Sequence, residues 1–494
     1  MPALLLSRHT LLAMPGGDVA EPGSGERLAI RLTAAVVEYE VQRAMIELGA
    51  RLEELDRGLR ERVGREVTDA VPVDDLQALD DAASHTRGAV TTVAELVDSL
   101  EDAGQTATVD AGRLRTLARL AQAVADERRR LLHGPGGAGR ARFGVVLGGE
   151  LTASWMARFP HHPVHAPLTV DLGDAGAMAE GLVEGQVRES LETLRLLRRG
   201  ELWREGAADR AKRETQATEL SWSDLTDEER ATVPPLLLIG DAETLCGSNL
   251  AGVSRLLTGD LPVKLLVLDG HAPRTRGGDP AFLALAHRTA FVASVSVASP
   301  DHLMTQVQKA LRFPGPALLH VHAPSPRRHG YETSDTFARA SLAVRSRVHP
   351  LLTYDPSVDG VFGAKLRLDD NPEPDKDWID DGGEKLTPEK WCAGEARFGK
   401  GNGIEAFAKE RTSFWRMLQE LAGVRTPFTD VVREQVRKEL EKDHAAELAA
   451  LRAEHEKKLA TVDVDQAERL RRRLLELAAS AKPRAAVDEP AGGD

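Results

Sequence analysis

The chain has 494 residues, of which 42% are hydrophobic and 29% are charged, and its formal net charge is -13. This length predicts roughly two to four domains with ample chain to bury a core, and the negative charge argues against nucleic acid as a partner. The two cysteines, Cys246 and Cys392, exclude a disulfide framework, a cysteine-ligated iron-sulfur cluster and a four-cysteine zinc site.

The amino-terminal residues 1–25 are rich in glycine and proline in their second half, and we expect a flexible leader there. The apolar start Ala3 to Leu6 has no basic residue before it and is too short for the core of a signal peptide. No apolar run is long enough to cross a bilayer. These features and the cysteine count predict a cytoplasmic protein without a membrane partner.

Residues 26–133 lack strand alternation and have apolar positions at helical spacing, as in Val37, Val41, Met45 and Leu48. This pattern predicts a helical domain with helices at 26–67, 74–103 and 110–132. The glycines between Gly134 and Gly139 end it.

Residues 140–360 alternate strand and helix signals, which predicts an α/β domain with a parallel sheet. Strand signals lie at 143–149, 236–241, 263–268, 291–297 and 316–322, and helix signals at 174–205, 280–287 and after Ser299-Pro300-Asp301. Proline in the first helical turn behind a serine is a typical helix start.

The last part of the chain divides into three segments. Residues 361–425 are predicted as an irregular acidic segment followed by a helix. Residues 426–481 have Leu448, Leu451, Leu459 and Val462 at three- and four-residue steps among many charges, which predicts a long helix or a coiled coil. Residues 482–494 are predicted to be a disordered tail.

The strand signals that begin at Leu236 and Val263 are continuous apolar runs that end in Asp241 and Asp269. Such runs are typical of central parallel strands that are buried on both faces. In open α/β sheets, ligands bind at the carboxyl ends of the strands. The two aspartates therefore mark a candidate ligand site.

The segment from about Arg142 to Gly360 resembles the carboxyl-terminal, thiamine-diphosphate-binding domain of pyruvate:ferredoxin oxidoreductases and related 2-oxoacid oxidoreductases. The resemblance rests on four motifs: Leu238-Ile239-Gly240-Asp241-Ala242 with a glycine-containing helix, Val267-Leu268-Asp269-Gly270-His271 continuing to Gly277-Gly278, Arg312-Phe313-Pro314-Gly315-Pro316 before a strand, and His349-Pro350-Leu351-Leu352-Thr353-Tyr354-Asp355-Pro356. It covers under half of the chain. It implies the fold of that domain between the helical domain and the tail.

The resemblance also implies a site for thiamine diphosphate and Mg²⁺, because a diphosphate with Mg²⁺ needs hard oxygen ligands and a closely approaching backbone. The implied cofactor-binding residues are Gly240, Asp241, Ala242, Asp269, Gly270, Ala272 and Thr275, with metal ligands from Asp241, the Ala272 carbonyl and Thr275. Several positions differ from the family pattern. Ala242 replaces the second glycine of a Gly-Asp-Gly turn, Gly270 replaces a threonine, and Thr275 replaces an asparagine.

The family's iron-sulfur ligands have no counterpart here, since Pro324-Ser325 occupies the place of one cluster cysteine. The resemblance therefore implies a subunit without a cluster that works with other oxidoreductase subunits, or as a homodimer. Three hypotheses stay open: a divergent thiamine-diphosphate-binding subunit, a pseudoenzyme or scaffold without the cofactor, and an unrelated α/β small-molecule binder.

The histidines suggest a second kind of site. His161, His162 and His165 lie in a proline-flanked loop, and His320 and His322 share one face of a strand. A metal site from these residues needs a second segment to converge on them, and no further ligand spacing supports one. Packed or solvated histidines are therefore the interpretation that the sequence favours.

Overall fold

The computed structural model describes residues 21–70, 111–158, 164–206, 209–271, 278–399, 403–426 and 428–480. Contacts divide the chain into two compact units, with the boundary between Val424 and Arg425. The helix expected at 74–103, most of the leader and the tail from 482 lie outside the described residues. The boundaries of the expected domains stay predictions.

The first unit contains an eight-stranded sheet. Its strands are β1 (Gly144–Leu147), β2 (Leu168–Val170), β3 (Leu236–Asp241), β4 (Val263–Asp269), β5 (Phe291–Ser296), β6 (Ala317–His322), β7 (Leu352–Tyr354) and β8 (Leu366–Arg367). They lie in the order β2-β1-β3-β4-β6-β5-β7-β8. All pairs from β2 to β5 are parallel, whereas β7 and β8 pair antiparallel at one edge. The expectation of an α/β fold is confirmed, and the sheet is mostly rather than wholly parallel.

The central strands are buried on both faces, as continuous apolar runs predict. Every residue of β4, β5 and β6 is buried, and in β3 only Asp241 is partly exposed. Helices on both faces exclude water from such strands, so the sequence shows no alternation of apolar and polar residues. The carboxyl ends of β3, β4 and β6 consequently form one edge at which polar residues collect.

Helices cover both faces of the sheet. They span Gly25–Ala70, Ala111–Leu132, Glu150–Met156, Ala175–Glu205, Arg210–Thr218, Asp227–Ala231, Leu250–Thr258, Pro280–His287, Pro300–Arg312, Pro326–His329 and Thr336–Arg345, with a π-helical turn at Thr244–Ser248. The two long amino-terminal helices pack on each other and on the helix Ala175–Glu205, and the first of them also packs on Pro300–Arg312. Through these helices Leu52 and Leu117 belong to the same hydrophobic cluster as Ile239 of the sheet. A second cluster, which includes Leu238 and Trp415, covers the opposite face. The amino-terminal helices thus share a core with the α/β part.

The segment from Pro350 to Gly399 has more regular structure than its composition predicts. It contains β7, β8, a hairpin of β9 (Ile379–Asp381) and β10 (Glu384–Leu386), and helices at Phe362–Lys365 and Pro388–Ala393. The side chain of Trp391 is fully buried. The interpretation of this stretch as irregular surface is wrong for these elements. A further helix at Gly403–Leu421 follows, as expected.

The second unit consists, in its described part, of one long helix at Thr429–Ser480. Leu448, Leu451 and Leu459 are exposed along it. A helix was one of the two expectations for this stretch, and its pairing in a coiled coil stays a prediction. Among the described helices, none combines the length and the apolar character that crossing a bilayer requires.

Candidate functional site

Asp241 lies at a crevice between the carboxyl ends of β1 and β3. The chain leaves β1 toward β2 on one side and leaves β3 toward β4 on the other. The strand order therefore reverses between β1 and β3, and such switch points are where open α/β sheets bind ligands. Gly149 packs against Asp241 from the β1 side, so that a Cβ atom at Gly149 would overlap Asp241 Oδ2.

The Asp241 carboxylate also orders the turn that follows it. Its Oδ1 accepts hydrogen bonds from the Thr244 amide and the Thr244 hydroxyl, both at 2.9 Å. Ala242, at the second position of the expected glycine turn, is buried beneath the crevice. The aspartate is partly exposed, so one face of its carboxylate can meet a ligand.

These residues fit the metal-binding end of a diphosphate in part. Mg²⁺ is held by about one or two protein carboxylates, with phosphate oxygens and water completing its shell. Asp241 supplies one such carboxylate, and the backbone of Gly149 packs directly against it, whereas Gly240 is covered by the Leu245 side chain. The other expected ligands, Ala272 and Thr275, lie outside the described residues.

Asp269, at the end of β4, has a different environment. The His271 amide donates to Asp269 Oδ1 at 2.6 Å, and His320 Nε2 lies 2.9 Å from Asp269 Oδ2. Burial opposes ionisation, but His271 and His320 hold the pKa of Asp269 well below its usual range. Gly270 is in close contact with the His329 ring, from which a Cβ atom would be 2.4 Å away. The hydrogen-bond partners of the Asp269 carboxylate are therefore members of a cluster of histidines.

This histidine cluster consists of His271, His320, His322 and His349, all of them buried. His271 Nε2 lies 2.8 Å from His349 Nδ1. The ring centroids of His320 and His349 are 4.7 Å apart, and the His322 ring stacks on His271 at 5.5 Å. Four buried imidazoles in mutual contact offer ring nitrogens that water does not reach.

Charged residues border the cluster on one side. Asp279 Oδ1 lies 3.7 Å from His320 Nδ1, and Arg411 pairs with Asp279 at 3.3 Å. Burial lowers the pKa of His271 and His349 well below the usual value. For His320, burial is outweighed by Asp279 and Asp269, which raise its pKa.

Only part of this cluster could be predicted from the sequence. The strand period placed His320 and His322 on one face, and both side chains are buried together as that period implies. His271 and His349 provide the further segments that a site around His320 and His322 requires. Both residues belong to motifs of the family resemblance. His161 and His162 lie outside the described residues, and His165 is exposed.

The two cysteines do not contribute to either place. Both are free and buried. Burial raises the pKa of Cys246 and of Cys392 to about 12. The Cys246 thiol therefore behaves as a packed group, and its position near a helix start does not activate it. Cys392 lies in the helix Pro388–Ala393 rather than on an irregular segment.

Comparison with known proteins supports the resemblance over part of the chain. No family model matches. The pyruvate synthase subunit PorB of Methanosarcina barkeri is 32% identical over 107 residues, which are 22% of this chain and 34% of that subunit. The ketoisovalerate oxidoreductase subunit VorB of Pyrococcus horikoshii is 28% identical over 144 residues, which are 29% of this chain and 42% of that subunit.

A solved 2-oxoglutarate:ferredoxin oxidoreductase from Magnetococcus marinus is 14% identical, with a TM-score of 0.25, over 44% of this chain and 71% of that one. The chain spans well under half the length of the curated relatives described above. The resemblance expected from the motifs is nevertheless confirmed. Over the matched residues the chain is similar, at low identity, to the PorB subunit of a pyruvate synthase and the VorB subunit of a ketoisovalerate oxidoreductase, as a divergent relative would be.

Proposed function

We propose that this chain is a subunit of a 2-oxoacid oxidoreductase-like assembly and that it binds the Mg²⁺-diphosphate end of thiamine diphosphate in the crevice between β1 and β3. The observation that supports this proposal is the position of Asp241 opposite Gly149 at the point where the strand order reverses. A partly exposed carboxylate at such a switch point suits a metal-bound diphosphate.

In this proposal Asp241 ligates the metal, and Gly149 lets the backbone after β1 approach the Asp241 carboxylate closely. Ala272 and Thr275, which follow β4 in the sequence, add oxygen ligands, and Asp269 and Gly270 contribute to the site at the end of β4. Thiamine diphosphate, when bound, supplies the stabilisation of carbanions that 2-oxoacid chemistry needs.

A partner subunit completes the activity. The relatives PorB and VorB are themselves named as subunits, and the two buried cysteines of this chain are too few to hold an iron-sulfur cluster. We therefore assign electron acceptance to another subunit. A second copy of this chain is the alternative partner for closing the cofactor site.

A specific observation favours a second candidate, a scaffold subunit without cofactor. Both oxygens of Asp269 are engaged by His271 and His320, and Asp241 Oδ1 accepts two bonds from Thr244. In this alternative the aspartates stabilise the fold, and the chain contributes binding surface to the assembly.

Calorimetric titration of the purified full chain with thiamine diphosphate and Mg²⁺ separates these candidates. We expect saturable binding that requires Mg²⁺ and is lost in Asp241→Asn. Glu243→Gln is the matched control, because Glu243 is exposed, carries the same charge and lies on the same turn. Lack of saturable heat with wild type, both alone and with its co-purified partners, refutes cofactor binding and supports the scaffold.

A further inference from the structure

The histidine cluster, whose Asp269 lies on the strand next to Asp241, has the composition of a metal site of its own. One ring nitrogen from each of His271, His320 and His349 lies within 4.8 Å of the other two. In a tetrahedral zinc site, bonds of about 2.1 Å place the ligand nitrogens roughly 3.4 Å apart. Small rotations of the three rings therefore suffice to close them around one ion.

Hydrogen bonds around the cluster orient the rings as metal ligands. His320 uses Nε2 to contact the Asp269 carboxylate, and His349 uses Nε2 to contact the Val295 carbonyl oxygen at 2.9 Å. His271 Nδ1 lies 3.5 Å from Asp269 Oδ2. Histidine ligands generally donate their outer N–H to a carboxylate or a backbone carbonyl, and this contact fixes the tautomer.

Without a bound ion, each placement of the proton between His271 and His349 leaves two acceptor atoms facing each other. The short contact between His271 Nε2 and His349 Nδ1 requires a proton on one of them. With the proton on His271 Nε2, the bare Nδ1 of a neutral ring faces the Asp269 carboxylate. With it on His349 Nδ1, the bare Nε2 can accept from the Ser294 hydroxyl, which lies 2.9 Å away, but it also faces the Val295 carbonyl oxygen at 2.9 Å. A cation in place of this proton removes both contacts between acceptors.

A fourth buried histidine in the cluster has no hydrogen-bond partner among the described residues. His322 is fully buried, and neither of its ring nitrogens has a hydrogen-bond partner among the described residues. Its ring lies 5.5 Å from that of His271 and 5.2 Å from that of His349. A buried polar group without a partner is destabilising, so this part of the core contains an imidazole that the described part of the protein itself leaves unpaired.

We propose that His271, His320 and His349 bind a divalent transition-metal ion of the zinc class. Imidazole nitrogens suit this class, whereas Mg²⁺ prefers the oxygens of the Asp241 crevice. Because the three rings are buried, the ion enters during folding and joins β4, β6 and the segment before β7.

The test starts from the full chain purified with a tag that does not bind metal. Elemental analysis is expected to find about one zinc per chain, and refolding with Co²⁺ is expected to give the visible absorption of a tetrahedral nitrogen site. His320→Gln and His349→Gln should lose the metal. Asp269→Asn, which keeps all three ligands, should weaken binding by about 10- to 100-fold.

His302→Gln is the matched control, since His302 is another largely buried histidine, paired with Asp370 away from the cluster. It should keep the metal and the Co²⁺ spectrum. Absence of zinc together with absence of a Co²⁺ spectrum in the wild type overturns the proposal, whatever the variants do. Undiminished binding by folded His320→Gln and His349→Gln also overturns it. The readout does not involve thiamine diphosphate, so failure here is distinct from failure of the proposed function.

Discussion

Lys264 gives a sharp test of how the centre of the sheet is built. It lies in β4, fully enclosed, and its Nζ donates to the Phe313 carbonyl oxygen at 2.8 Å and the Gly315 carbonyl oxygen at 2.9 Å. The lysine thereby ties β4 to the Phe-Pro-Gly-Pro turn before β6. Burial lowers the pKa of Lys264 to about 7.

This pKa makes the free energy of unfolding depend on pH. The unfolded chain keeps the proton on Lys264 up to pH about 10.4, whereas the folded chain releases it above about 7. Between these values the unfolded state binds more protons, so stability rises with pH, and below pH 7 the contribution is constant. From pH 7 to pH 9 the expected gain is about 2 kcal/mol.

Urea unfolding at pH 7 and pH 9, followed by circular dichroism at constant ionic strength, measures this gain. Lys264→Met should remove it, although the variant is less stable at both pH values because two carbonyl oxygens lose their donor. Lys309→Met, at an exposed lysine, is the control and should keep it. If wild type and Lys264→Met change equally between the two pH values, the reasoning is refuted.

Three further substitutions test packing and the crevice. Trp391→Ala, at a fully buried side chain, should lower the free energy of unfolding by about 3–5 kcal/mol in urea, and a loss under about 1 kcal/mol contradicts its place in the core. Arg411→Leu leaves the buried Asp279 carboxylate without its ion-pair partner and should lower the free energy of unfolding by about 3–5 kcal/mol. An unchanged free energy of unfolding contradicts that pairing. Gly149→Ala puts a Cβ atom against Asp241 and should abolish calorimetric binding of Mg²⁺-thiamine diphosphate; unchanged affinity removes the crevice from the site.

The strands of the sheet were predictable because their burial leaves a simple pattern. The apolar runs at Leu236 and Val263 became β3 and β4 almost residue for residue. The helix at Pro300–Arg312 begins where Ser299 and Pro300 placed its start. Local rules suffice for such elements, because each signal lies within a few neighbouring residues.

The segment after β7 was harder because its structure depends on distant contacts. Its acidic, glycine-rich composition concealed the short helix Pro388–Ala393, although Thr387-Pro388 repeats the signal of Ser299-Pro300. The antiparallel edge was missed for a related reason. Strand β7 is only three residues long and pairs with β5 through a register that no local pattern encodes.

The complete histidine cluster could not be predicted from the residue pattern of a single strand. The period of β6 gave His320 and His322, but His349 is 78 residues from His271 along the chain, and their contact depends on the sheet order. The Asp241 crevice was easier to anticipate, since a strand that ends in an aspartate indicates its edge.

The central claim, that this chain works as a cofactor-binding subunit in an assembly, is tested most directly on the complex itself. The tagged chain, isolated intact from its own cells, would be weighed by native mass spectrometry and assayed for thiamine diphosphate. We expect a complex with at least one further subunit and about one thiamine diphosphate per copy of this chain. A monomer, or a complex in which thiamine diphosphate is absent, contradicts the account.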